Sequence, residues 1–191
     1  MIKRNLLYRL VSAMIFTTIL GLTGCTIIDK KVDVVQPFDA ARYLGKWYEI
    51  ARLDHSFERG LDHVTAEYTK DDDAIRVLNS GYDPKEKQWQ TANGIAYFTD
   101  GDDTGRLKVS FFRPFYGAYQ IHAIIPEQPT GAKQYQVSLV IGPDESYMWI
   151  LARTPTIDDA TKTDLVAKAK ALGINTQDII WVDQTSATVT K

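Results

Sequence analysis

The side chains that could do chemistry are few and far apart. One cysteine, Cys25, and three histidines, His55, His63 and His122, occur in 191 residues. A single thiol makes no internal disulfide, so the fold must hold without one. His55 and His63 stand eight apart across a polar loop, without metal-ligand spacing, and surface or loop positions are expected for the histidines. The chain has no Gly-x-Ser-x-Gly nucleophile elbow and no glycine-rich phosphate loop. No cofactor or metal is implied. Glu49 and Asn79 remain, each on the face of an alternating segment that also carries apolar residues. A buried carboxylate must be paired or neutral. Glu49 is therefore expected to bond an arginine or tyrosine near the floor of whatever its strand encloses, or to orient a polar group of a ligand. Asn79 could serve in the same way.

The elements that would position these residues are strands. Tyr43-Leu44-Gly45-Lys46-Trp47-Tyr48-Glu49-Ile50-Ala51-Arg52 follows an Asp39-led helical turn. From Trp47 onward, Trp47, Glu49, Ala51 and Leu53 share one face, and Tyr48, Ile50 and Arg52 the other. Gly45 stands where helix becomes strand, a place for a backbone angle or close approach that a Cβ would block. Alternation recurs over 63–69, 74–82, 88–99, 106–112, 118–125, 135–142 and 147–153, separated by turns such as Asp71-Asp72-Asp73 and Asp100-Gly101-Asp102-Asp103. Eight strands joined by short turns predict a sandwich or barrel. The period then changes. Ile157, Thr161, Leu165, Ala169 and Leu172 recur at helical spacing, Thr156 and Asp159 resemble a capping box, and Gly173 suits the end. Ile179-Ile180-Trp181-Val182 reads as a short final strand.

The predicted inward set mixes small and large residues. Ala51, Val64, Ala66, Val77, Asn79 and Gly81 come from the earlier strands. Tyr68, Leu107, Val109, Phe111, Tyr147, Trp149 and Leu151 supply larger groups. Small residues facing aromatics would leave a lined cavity, while the plainer reading is a packed core.

Residues 1–25 read as a targeting segment. Lys3, Arg4 and Arg9 precede a stretch from Leu10 to Leu20 that is too short to span a bilayer of about 30 Å. It ends Leu22-Thr23-Gly24-Cys25, which resembles the bacterial lipobox, where the cysteine is acylated (palmitate is the expected acyl group) and becomes the mature N-terminus. Thr26 follows it, and the absence of Asp there implies, by the same resemblance, the outer membrane rather than the inner. Cleavage before Cys25 leaves 167 residues, one domain's worth. Loss of Lys3, Arg4 and Arg9 moves the net charge from −2 to −5. A mildly acidic chain without a basic cluster argues against nucleic acid and against binding anionic headgroups by charge.

The segment around Gly45-Lys46-Trp47 resembles the lipocalin family, whose signature is Gly-x-Trp at the first barrel strand. It is similar above all to the bacterial outer-membrane lipoprotein lipocalins and their apolipoprotein D-like relatives. Gly142-Pro143-Asp144-Glu145-Ser146-Tyr147 loosely resembles the family's Thr-Asp-Tyr turn, with the Thr absent. Arg153 stands where the family places an arginine across the floor tryptophan. The element order agrees. The resemblance implies an all-β fold: an eight-stranded up-and-down antiparallel barrel with one C-terminal α-helix packed outside and a short ninth strand. The expected organisation is a signal peptide over 1–24, a tether over 25–36, the domain over 37–183 and a tail over 184–191. Gly45, Trp47 and Arg153 would close the floor. Ala51, Val64, Ala66, Tyr68, Val77, Asn79, Leu107, Val109, Phe111, Tyr147, Trp149 and Leu151 would line a calyx. The implied partner is a lysophospholipid or fatty acid, held at the outer membrane on its periplasmic side through lipidated Cys25. The family also allows a homodimer, for which no stretch here shows the interface. Two other readings stay open at this point: a lipid-modifying enzyme of the envelope, and a docking lipoprotein whose barrel is filled.

Overall fold

The computed structural model describes residues 30–127, 131 and 133–185, and the backbone of 26 and 27. The targeting segment and acylation site at 1–25, and residues 186–191 of the expected tail, lie outside the described residues. Eight antiparallel strands follow one another in space: β2 (Gly45–Arg52), β3 (Asp62–Asp71), β4 (Ala74–Asp83), β5 (Gln88–Phe98), β6 (Arg106–Phe112), β7 (Phe115–Ile125), β8 (Val137–Ile141) and β9 (Met148–Ala152). β9 pairs back onto β2 and closes the barrel, so none of these eight strands is left as an open edge. A short β1 (Thr26–Ile27) runs parallel to β7, and β10 (Ile180–Trp181) lies antiparallel to β2.

One end is the floor and the other the mouth. The β3–β4 turn, the β5–β6 loop and the β7–β8 loop lie at the floor. The β2–β3 loop (residues 53–61), the β4–β5 turn, the β6–β7 turn and the β8–β9 turn ring the mouth. Helix α1 (Ala40–Tyr43), capped by Asp39 accepting from the Ala41 amide, lies across the floor just before β2. Helix α2 (Asp159–Ala171) lies outside and buries Leu165 and Ala169. Its cap is Asp158, not the Thr156 box expected, because Asp158 takes both the Thr161 amide (2.9 Å) and the Thr161 hydroxyl (2.7 Å).

Two apolar clusters result, and the wall separates them. Trp47, Ala66, Tyr68, Val77, Leu107 and Leu151 belong to the inner one; Ile50, Ala51, Ile150 and Leu165 belong to the outer one, under α2. Ala51 was expected inward and is not. A bulge between Glu49 and Ala51 shifts the pairing with β9, so Ala51 faces Ile150 on the outside and Arg52 faces Trp149 on the inside.

The expected tether also needs correction over 30–36, which run as a strap down the outside of β7. Lys30 N donates to Pro143 O (2.8 Å), Val35 N to Ile121 O (2.9 Å), and Phe38 N to Asp103 O (2.7 Å). Beneath the strap, Gln120 is fully buried and takes the Val32 amide at 3.1 Å, while Arg106 donates to Val32 O at 2.8 Å and to the Gln120 side chain. At the other terminus Gln184, assigned to the tail, donates to Glu49 O and Val64 O, each at 2.8 Å.

Candidate functional site: an apolar calyx with a polar latch

The floor is built first, because it decides how deep a ligand can go. Gly45 has φ +93, the left-handed region that favours glycine, and an added Cβ would sit 3.4 Å from Arg153 Nη1. The chain therefore passes directly under the Arg153 guanidinium. That group lies 4.0 Å over the Trp47 ring and donates to four carbonyls: Lys46 O (2.8 Å), Leu44 O (2.8 Å), Arg42 O (3.1 Å) and Tyr135 O (3.1 Å). Trp47 is fully buried and donates from Nε1 to Tyr43 O at 2.7 Å. Arginine's planar fork suits this combination of stacking and carbonyl capping, which lysine cannot supply.

Above Trp47 lies a layer of hydroxyls. Tyr119 Oη sits 2.8 Å from both Tyr43 Oη and Tyr68 Oη, and Tyr43 reaches Ser138 Oγ at 3.3 Å. Burial pushes the Tyr43 hydroxyl up to about 12 and holds Tyr68 and Tyr119 well above the ordinary phenol value, so all three are neutral donors and acceptors. Below this layer a void of about 10 Å³ remains, room for one water at most. Leu107 walls that void and not the space above, so it stands beneath the calyx it was expected to line.

Above the layer the barrel opens into a cavity of about 530 Å³ that reaches the mouth, within the range of small-ligand sites. Val64, Ala66, Tyr68, Val77, Asn79, Val109, Phe111, Tyr147, Trp149 and Leu151 all border it. The two expected lining residues that do not are Ala51 and Leu107. The space exists because β5 turns a run of small residues inward. Gly94 pairs with Val77, and Ala92 with Asn79. The Phe111 ring lies 2.8 Å from where a Gly94 Cβ would be. Asn79 Oδ1 is buried without a hydrogen-bond partner, an acceptor facing apolar space.

One wall near the mouth is polar and was missed. The loop over 53–61 folds inward, burying His55 and Glu58 beside Trp149. Arg52 Nη1 donates to Glu49 Oε1 at 2.7 Å, and Arg52 Nη2 donates to Glu58 O and Leu61 O, each at 3.0 Å. Trp149 Nε1 donates to Glu58 Oε2 at 3.1 Å, and His55 Nε2 lies 3.3 Å from the same oxygen. Burial, reinforced by the Glu58 charge and only partly offset by Arg52, pushes Glu49 well above the ordinary carboxylate value. Burial raises Glu58 too, but hydrogen bonds from His55, the Glu49 carboxyl and Trp149 outweigh it and leave Glu58 below its usual value. The surroundings thus favour a proton on Glu49 over one on Glu58, with the Arg52 guanidinium bonded to Glu49. Glu49 finds its arginine as expected, though near the mouth rather than the floor. His55 was read as a surface or loop residue. Its burial could have been suspected from Phe57 and Leu61, apolar residues set in an otherwise polar loop. Tyr119 was missed because the faces of its strand were not assigned. Among the described residues no group of three His, Cys, Asp or Glu side chains is placed to hold a metal.

A closed eight-stranded barrel with a Trp–Arg floor, an apolar calyx and one outer C-terminal helix defines a lipocalin-type binding barrel. The chain belongs to the lipocalin-like domain family, which matches residues 38–184. It is 52% identical to the outer membrane lipoprotein Blc of Citrobacter freundii over 83% of this chain and 86% of that protein. It is 29% identical to apolipoprotein D of Mus musculus, over 79% of each. Among solved structures, the major allergen Per a 4 from cockroaches superposes with a TM-score of 0.63 at 21% identity, over 83% of this chain and 96% of that one. The family is one of binding and transport proteins, and the chain is a binding protein rather than an enzyme.

Proposed function

We propose that this protein holds a single-chain acyl lipid, a lysophospholipid or fatty acid, in its calyx at the outer membrane. It would be anchored there through acylated Cys25 on the periplasmic side. The observation that carries the reading is the cavity of about 530 Å³, open at one end and mostly apolar down to its tyrosine layer. About ten buried methylenes at ~0.8 kcal/mol each amount to ~8 kcal/mol, the free energy of a micromolar complex before ordering costs. No charged anchor for the ligand is needed. The acyl chain would point at Tyr68 and Tyr119, with the headgroup at the mouth beside Glu58 and Asp144. The similarity to outer membrane lipoproteins of Citrobacter freundii and Vibrio cholerae supports the location, as do the Leu22-Thr23-Gly24-Cys25 sequence and Thr26.

Calorimetric titration tests it. A lysophospholipid and a fatty acid of equal chain length should both bind with micromolar affinity and a negative heat-capacity change. Tighter binding of the lysophospholipid would assign a role to headgroup contacts. Failure of both to bind would overturn the proposal, and appearance of a cleaved product would favour a lipid-modifying enzyme.

A further inference from the structure

Among the described residues, four of the seven large apolar side chains that stand in water lie at the mouth: Phe57 (73% exposed), Phe111 (43%), Phe112 (76%) and Phe115 (65%). Phe112 and Phe115 stack across the β6–β7 turn, with ring centroids 6.2 Å apart and planes 5° from parallel. None of the seven lies at the floor. Exposed apolar rims of this kind mark contact surfaces, and the strap indicates what covers this one.

β1 pairs with β7 in parallel, Thr26 opposite Tyr116 and Ile27 opposite Gly117. β7 runs from mouth to floor, so β1 does too, and Thr26 stands at the mouth end beside Tyr116. Cys25 is one peptide unit away, about 3.8 Å between Cα atoms. From Lys30 to Phe38 the strap is bonded to the barrel through Pro143, Gln120, Arg106, Ile121 and Asp103. That bonding holds the described strap to the barrel wall and keeps its start at the mouth end.

We infer that the mouth is held against the bilayer, with Phe112, Phe115 and Phe57 seated in its interface, so that ligand passes between membrane and calyx without crossing bulk water. The inference rests on the proposed acylation of Cys25. An acyl anchor and an aromatic rim at the same end are the two membrane signals that together fix an orientation, where one alone would leave it free. Arg113, exposed in the turn that joins the two rings, is placed to meet lipid phosphates.

The test uses the full lipoprotein, purified from cells and reconstituted in phosphatidylethanolamine–phosphatidylglycerol vesicles. With Cys25 acylated the chain has no other thiol, so Phe112→Cys at the mouth and Asp102→Cys at the floor each take one nitroxide label. Both positions are exposed, and neither change disturbs the core. Relaxation by oxygen, which concentrates in the bilayer, is compared with relaxation by a water-soluble nickel chelate. The mouth label should favour oxygen over nickel by roughly fivefold or more relative to the floor label. Equal aqueous exposure of the two labels, with the N-terminal peptide acylated by mass, would overturn the orientation while leaving the anchor standing. Spin–spin broadening at position 112 would also overturn it, by placing a second copy over the mouth. An N-terminal peptide of unacylated mass would overturn the anchor itself and the orientation with it.

Discussion

The two ends of this barrel are made from similar residues put to opposite use. At the floor, aromatic and charged groups are fully satisfied. Arg153 caps four carbonyls and covers Trp47, and only about 10 Å³ stays empty. At the mouth, aromatic rings stand in water, two buried carboxyls lie close together beside Arg52, and about 530 Å³ is open. The strands are continuous between the ends, so sheet geometry does not explain the contrast. Side-chain size does: Trp47, Tyr43, Tyr68 and Tyr119 fill the lower barrel, whereas small residues such as Ala66 and Ala92 leave the upper barrel hollow. Stability is concentrated where binding is not.

That contrast can be broken by substitution, most severely at the floor. Trp47→Ala should cost about 3–5 kcal/mol in urea unfolding, as a large-to-small change in a site with no room to collapse. A melting temperature unchanged within a degree or two would remove Trp47 from the closure. Arg153→Lys keeps the charge and loses the fork, leaving carbonyls uncapped, and should cost roughly 1–3 kcal/mol.

Nearer the mouth the effect is smaller and depends on pH. The unfolded chain releases the Glu49 proton around 4.5, while the folded chain holds it to higher pH. Stability linked to that proton is complete below about 4.5 and is lost as pH rises toward the folded value. Glu49→Gln does not titrate, so its stability relative to the native protein should improve between pH 4.5 and neutrality. If the native protein instead gains on the variant over that range, Glu49 is ionised and its contact with Arg52 is an ordinary ion pair. At the rim itself Phe112→Ser should shift stability by no more than about 0.5 kcal/mol, since the side chain is already in water.

The same contrast explains what the sequence could disclose. The floor was legible through the family resemblance: Gly45 and Trp47 carry its motif two residues apart on one strand, and Arg153, just past the end of β9, stands where the family places an arginine. The strands were legible because inner and outer residues alternate. Alternation failed at Ala51, where the bulge after Glu49 reverses the faces, and no residue type announces a bulge there. The strap was read as a free tether because Gln120 and Arg106, the side chains that hold it, carry no signal until β6 and β7 lie side by side. The latch of Arg52, His55 and Glu58 was hidden for a similar reason. A polar loop reads as solvated unless the carbonyls of Glu58 and Leu61 are known to face a buried guanidinium.

The central claim is that the hollow half holds an acyl lipid, and native mass spectrometry of the lipoprotein purified from membranes, followed by solvent extraction, tests it directly. Ala92 borders the cavity on a side chain that faces open space, so Ala92→Trp can fill the calyx without overpacking it. One adduct of acyl-lipid mass per native barrel is expected, absent from the folded Ala92→Trp variant. A native barrel that stays free of adduct after incubation with lysophospholipid and fatty acid, or an adduct that persists in Ala92→Trp, would contradict it.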